Sequence, residues 1–251
     1  MQTVDQYAAA VVEKYRVEAE TGPAAHRAAD EIMPLLQQWG GKYLQGITLS
    51  GAYAQNTAVR LSSDVDVLIE LRPVAGKRMG EIFWSLFECL SDKGLRPRAG
   101  NVTIGVEVRE QRVDLIPACR EGKGDILFNK RAEAELRTEA AKHVHLLANS
   151  GRQQEICALK IWRERHRLDF PSLYLALTVL KALENERFGQ LADNVMAVLR
   201  YIAHRFEKLA VVDPANEENV VSDDLSSGEK TVIARAAREA LYENEWSKLI
   251  W

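Results

Sequence analysis

The sequence predicts an α+β protein in which a small sheet-bearing lobe is followed by a helical lobe, with a ligand cleft between them. Three observations carry this. The short apolar, alternating or β-branched runs are confined to the first half of the chain. From about Leu136 onward the pattern is almost wholly helical. The clearest strand, Asp64 to Leu71, begins with two aspartates in alternation, Asp64 and Asp66. The expected division is residues 1–135 for N-terminal helices and the sheet lobe, and 136–251 for the helical lobe. A chain of 251 residues is long enough for either one large domain or two closely packed lobes.

Each element has its own signal. Residues 5–39 carry apolar positions at helical spacing (Val11, Val12, Tyr15, Ile32, Leu35, Leu36), with a break at Thr21-Gly22-Pro23 and a glycine stop at Gly40-Gly41. Tyr43 to Leu49 is a short apolar run, followed by the turn-like Ser50-Gly51-Ala52. Asp64 to Leu71 alternates and is β-branched, as a half-buried strand should be. Met79 to Leu90 returns to helical spacing through Ile82, Phe83, Leu86, Phe87 and Leu90. Val102–Val108 and Arg112–Ile116 read as two further strands, and Pro117 argues against strand beyond it. Helices are expected over Glu155–Arg167, Leu173–Glu186, Leu191–Leu209 and Glu229–Leu241, with a polar interval from Asp213 to Gly228.

Composition narrows the function classes. With 47% hydrophobic and 27% charged residues the chain is an ordinary globular protein, and no run approaches the roughly 18 apolar residues of a membrane span. The N-terminal residues lack the basic and apolar regions of a secretory signal, so a cytoplasmic location and no membrane partner are expected. Cys89, Cys119 and Cys157 are odd in number and far apart, which supports neither zinc nor a disulfide framework. The formal charge of −3 lacks the basic excess of a long nucleic-acid binder and favours a small anionic substrate, although basic clusters occur at 93–98, 109–112 and 160–167. His26, His143, His145, His166 and His204 fall in no motif.

The chemistry is carried by Gly51, Asp64, Asp66 and Asp114. Residues i and i+2 of a strand share a face, so Asp64 and Asp66 present two carboxylates together. Such neighbours repel unless a cation joins them, and Mg²⁺ takes hard oxygen ligands from one or two carboxylates plus substrate phosphates. Asp114, on another strand, supplies a third carboxylate and room for two ions. Gly51, directly after a strand, allows close approach of an anion.

This pattern resembles the polymerase-β-like nucleotidyltransferases, and within them the cGAS/DncV-like branch that includes the oligoadenylate synthetases. In that branch the motif runs Gly-Ser-Tyr-Ala-Arg-Gly-Thr and then Ser-Asp-x-Asp; here Gly51, Tyr53, Ala54, Thr57, Ser63, Asp64 and Asp66 match in order and spacing. Leu159-Lys160-Ile161-Trp162 followed by Pro171-Ser172, and Asp213-Pro214 followed by Asn219-Val220, extend the match along the chain. The resemblance implies an NTP cleft, with Asp64, Asp66 and Asp114 as catalytic residues and ligands of two Mg²⁺ (or Mn²⁺) ions. It also implies nucleotide contacts from Gly51, Ala52, Thr57, Lys160 and Ser172, and packing of Tyr174 against the base. Ala52 departs from the family serine; the missing hydrogen bond to a charged group is worth roughly 1.5–3 kcal/mol. Backbone amides can suffice, or Ser50 or Thr57 can supply it. Gln55 and Asn56 replace the usual basic residue and glycine.

The implied activity joins NTPs into a cyclic or linear oligonucleotide messenger, plausibly in antiphage signalling. Two other readings stay open: transfer of a nucleotidyl group to an RNA 3′ end, a protein or a small-molecule hydroxyl, and a nucleotide-binding sensor that has lost turnover. No motif identifies a protein activator.

Overall fold

A computed structural model describes residues 3–17, 23–62 and 64–250. Thr21 and Gly22 of the expected helix break, and Ser63 of the aspartate motif, lie outside the described residues. In chain order come α1 (Val4–Tyr15), β1 (Arg16–Val17), α2 (Pro23–Gly40), β2 (Leu44–Leu49), α3 (Gly51–Ala54), β3 (Ala58–Val59) and β4 (Val65–Leu71). There follow α4 (Met79–Asp92), β5 (Arg98–Ala99), β6 (Ile104–Val108), β7 (Gln111–Glu121), β8 (Gly124–Asn129) and β9 (Ala134–Thr138). The rest is α5 (Ala140–Ala148), α6 (Gln153–Arg165), α7 (Ser172–Ala182), α8 (Leu191–Arg205), β10 (Val212–Asp213), β11 (Asn216–Val220), α9 (Ser227–Ala240) and α10 (Trp246–Leu249). The chain forms two compact units, one from residues 23–55 and 64–144, the other from 3–17, 56–62 and 145–250.

The first unit is built on a seven-stranded sheet ordered β2-β4-β7-β6-β5, with β8 paired to the far half of β7 and β9 to β8. β4 and β7 are parallel and the other pairs antiparallel. The alternation in β4 has the expected consequence: Val65, Val67, Ile69 and Leu71 are at most 2% exposed, while Asp66 and Glu70 face the other way and are half-buried. On that other side Leu68 joins Ala118 and Leu127 in a small apolar cluster. α4 buries Met79, Ile82, Phe83, Leu86 and Leu90, a helical-period stripe. Its first turn is closed by Glu81, which accepts from the Arg78 amide at 2.8 Å.

β7 runs straight through Pro117, contrary to the expectation that the strand ends there. Pro117 stands opposite Ile69 in the parallel pair, and the strand goes on to Cys119–Glu121, which pair with β8. The segment before α5 is likewise a hairpin, β8–β9, where the sequence suggested helix from Leu136.

The second unit is helical, with the short β1–β3 and β10–β11 pairs as its only strands among the described residues. α6 is its axis, buried at every position from Glu155 to Arg163. α1 belongs here, not with the sheet as a boundary at 135 implies, because Ala8, Val11 and Val12 enter the same core as Leu159, Trp162, Leu175 and Val198. α1 is started by a reciprocal cap in which the Gln6 amide donates to Thr3 Oγ1 at 3.2 Å and the Thr3 amide to Gln6 Oε1 at 2.9 Å. No helix among the described residues is long and apolar enough to cross a membrane.

Candidate active site

The sheet unit holds the carboxylates. Asp66 and Asp114 are direct partners in the parallel β4–β7 ladder, so their side chains stand side by side on one sheet face. Asp64 immediately precedes β4 and shares the side of Asp66. It is close enough to push the Asp114 carboxyl above the ordinary carboxylate range; burial is the larger cause, and the Thr103 hydroxyl and Arg112 oppose it. The Tyr53 phenol is raised by burial first and then by Asp64 and Asp66, which locates it beside the same pair.

Two glycines make room for these acids. Gly51 has φ +53, and a Cβ there would stand 1.7 Å from Asp66 Oδ2. On the next strand over, a Cβ at Gly105 would come within 3.0 Å of Asp114 Oδ1. The Ser50 amide ties the turn to β4 by donating to the Asp66 carbonyl at 2.8 Å. Asn56, where the family pattern has glycine, adopts φ +57. Asparagine tolerates that left-handed conformation better than most residues, so this departure leaves the turn intact. Ser50 makes no capping hydrogen bond through its side chain, and Ala52 is half-buried beside it.

The donor set, carboxylate oxygen throughout, has the chemistry of a hard divalent cation. Its arrangement is not closed around one: no three His, Cys, Asp or Glu among the described residues are grouped so as to hold a metal ion. Asp64 instead faces Arg112, whose Nε lies 3.6 Å from Asp64 Oδ1. With Arg112 largely exposed, that pair is a weak one. Asp64, Thr103, Asp114 and Arg112 line one cavity of about 620 Å³ with Arg96 and Arg98 on its rim. Sequence reading assigned no role to Tyr53, Thr103 or Arg112. The signal for Arg112 was present, since it stands at i−2 from Asp114 on the same strand face.

The remaining expected residues lie in the helical unit. Lys160 is 2% exposed, and its ammonium donates to the Thr57 carbonyl at 2.9 Å and to Thr57 Oγ1 at 3.2 Å. It is therefore a buried charge on the axis of α6, not a lysine on a solvated helix face. Ser172 is exposed, and its hydroxyl accepts from Arg163 at 3.0 Å. Arg163 also donates to the Phe170 carbonyl at 2.7 Å and to Ser62 Oγ at 3.1 Å. Tyr174 requires a correction: its ring is wholly buried, stacked on Phe206 at 4.8 Å and 16° and edge-on to Phe170, so it belongs to the core and no base can pack on it.

No family model and no curated protein matches the sequence at a significant level. Solved structures do match the fold. CdnC of E. coli MS115-1, determined with ATP, superposes with a TM-score of 0.79 at 16% identity over 99% of this chain and 98% of that one. CdnG of Bradyrhizobium diazoefficiens, a CD-NTase in complex with GTP, gives 0.78 at 11% identity over 94% and 89%. The Cid1 poly(U) polymerase with Mg 3′-dATP bound gives 0.68 at 13% identity over 96% and 95%.

The chain has the cGAS/DncV-like nucleotidyltransferase fold.

The strands that carry the glycine turn and the aspartates, β2, β4 and β7, lie side by side in the sheet. Against the sequence pattern that the chain resembles, its departures are Asn56 in the turn and Ala52 in place of serine.

Proposed function

We propose that this protein is a metal-dependent nucleotidyltransferase that joins NTPs into a cyclic or linear oligonucleotide messenger, in the manner of the antiphage cGAS/DncV-like enzymes. The observation that carries the reading is the register of Asp66 with Asp114 beneath Gly51, on a fold shared with proteins bound to ATP and GTP.

Asp64, Asp66 and Asp114 would hold two Mg²⁺ (or Mn²⁺) ions. When bound, these supply charge neutralisation at the triphosphate and at the acceptor oxygen. The chain's own residues bind and orient. Gly51 leaves the space in which Asp66 sits, and the turn that follows it would bind the phosphates through backbone amides. Lys160 contributes buried positive charge through the Thr57 turn, and Ser172 adds a hydroxyl. The attacking ribose oxygen forms its bond to the α-phosphorus as the bond to the bridging oxygen breaks and pyrophosphate leaves, the hydroxyl proton passing to solvent. Positioning and charge stabilisation suffice, with no covalent enzyme intermediate.

Transfer to an RNA 3′ end is the second reading, favoured by the likeness to the poly(U) polymerase. The deciding experiment incubates the protein with each radiolabelled NTP and Mg²⁺ or Mn²⁺, with and without RNA, and separates the products. A phosphatase-resistant product from NTP alone, lost when Asp64→Asn and Asp66→Asn are combined in a protein that still melts cooperatively, is the expected result. Activity retained in that double variant would sink the site assignment. Product only with RNA would move the protein to the second reading.

A further inference from the structure

Away from the carboxylates, the outer face of α4 and the β8–β9 hairpin enclose a second cavity of about 820 Å³ within the sheet unit. Its floor is aromatic. Trp84 is 41% exposed and sits edge-on to Phe83 and Phe87, while Phe128 packs against Phe83 at 5.4 Å. Gly80 deepens it, since a Cβ there would stand 3.1 Å from the Phe128 ring. The rim is acidic on both sides, with Glu81 and Glu88 from the helix and Glu133 and Glu135 from the hairpin, against Arg78 as the one lining cation. Glu81 and Glu135 accept from the Arg78 and Met79 amides at the start of α4. Among the described residues, neither the Glu88 nor the Glu133 carboxylate has a hydrogen-bond or ion-pair partner.

An exposed tryptophan is an unusual thing to leave in water, and a ring bordered by unpaired carboxylates suits one chemistry in particular. A guanidinium or ammonium laid over the indole face gains cation–π attraction, its aliphatic stem covers apolar surface, and the glutamates take its charge. The volume, within the roughly 300–1,000 Å³ typical of ligand pockets, exceeds what one such side chain fills. Among the described residues β9 pairs only with β8, so the hairpin that forms one wall also ends the sheet and leaves main-chain groups for an extended segment. We propose that this groove docks an arginine- or lysine-bearing polypeptide segment of a partner protein, with Trp84 as its anchor and Glu88 and Glu133 as its counter-charges.

The test is fluorescence anisotropy with a labelled Arg-Arg-Leu-Arg-Arg-Leu peptide, free arginine as competitor, and the full chain as receptor. Saturable binding that weakens with salt is expected. It should fall at least tenfold in Trp84→Ala and in Glu88→Gln combined with Glu133→Gln. Trp84→Phe should restore most of it, and Glu217→Gln with Glu218→Gln, equally exposed but elsewhere, should leave it unchanged. Cooperative melting of each variant excludes unfolding as the cause. The proposal is overturned by an absence of binding, by equal losses in all charge variants, or by free arginine competing as well per molecule as the peptide does.

Discussion

Gly51 shows how a single residue type couples a turn to an acid one strand away. Its φ of +53 already disfavours any side chain, and the first atom of one would overlap Asp66 Oδ2. Left-handed backbone costs a non-glycine residue roughly 1–2 kcal/mol. The overlap cannot be relieved without displacing the carboxylate. Gly51→Ala is therefore expected to lower the melting temperature by only a few degrees while reducing nucleotidyl transfer at least a hundredfold, since ligand geometry at Asp66 is lost. Calorimetry and label transfer on the same preparation separate the two effects; full activity in the alanine variant would contradict the proposed use of Asp66. The same logic explains why Asn56 is an acceptable substitute in the turn although Ala52 is not an equivalent one. Asn56 keeps a backbone conformation, whereas Ala52 gives up a hydroxyl that no backbone adjustment restores.

At the scale of elements, α6 is where charge and packing meet. Arg163 is buried, with burial pulling its guanidinium below the usual arginine range and Glu164 opposing. It bonds the Phe170 carbonyl, Ser172 and Ser62, so it fixes the start of α7 relative to the 56–62 segment within the helical unit. Arg163→Ala leaves at least one buried carbonyl unpaired and is expected to cost about 3 kcal/mol in urea unfolding. Arg163→Lys, lacking the fork, should recover less than half of it. What the sequence revealed and what it hid divide along the same line. β4 and α4 were legible because one face of each is apolar at a clean period. β8 and β9 were not: β9 is short, mostly exposed and charged, and is held by pairing with β8 rather than by burial of its own side chains. Pro117 misled because a proline missing its N–H is tolerated when long ladders hold the strand on either side. Tyr174 was misjudged in location because α7 is buried from Tyr174 to Val179, and a helix buried all round has no polar face for a pattern to reveal. The aspartates were legible because i, i+2 spacing survives in any strand register. Their proximity to Asp114 is a property of the β4–β7 pairing alone.

For the molecule as a whole, net charge discriminates between the two acceptors. Neutralising phosphates releases counter-ions, and a protein that makes several such contacts loses affinity steeply as salt rises. This chain carries 33 basic against 36 acidic residues, and an acidic groove on the sheet unit adds nothing favourable to a polyanion. The arginines near the carboxylates are local: Arg109 is paired with Glu31 and Arg112 with Asp64, leaving Arg96 and Arg98 as the uncommitted cations of that cavity. Two or so phosphate contacts would give a log–log salt slope near −1.5 for a single strand, against the slope of about −4 to −7 that six to ten contacts produce. A messenger synthase needs no more than this, because its acceptor is another nucleotide. Binding of a labelled 20-nucleotide RNA measured between about 50 and 200 mM KCl should therefore be weak and shallow in its salt dependence. Arg96→Gln with Arg98→Gln should flatten it further, and the NTP-only product should form at the same rate with or without RNA. A steep slope, with turnover that rises when RNA is added, would mean that the 3′ end of a polynucleotide is the acceptor and that its binding surface draws on basic residues beyond this cavity.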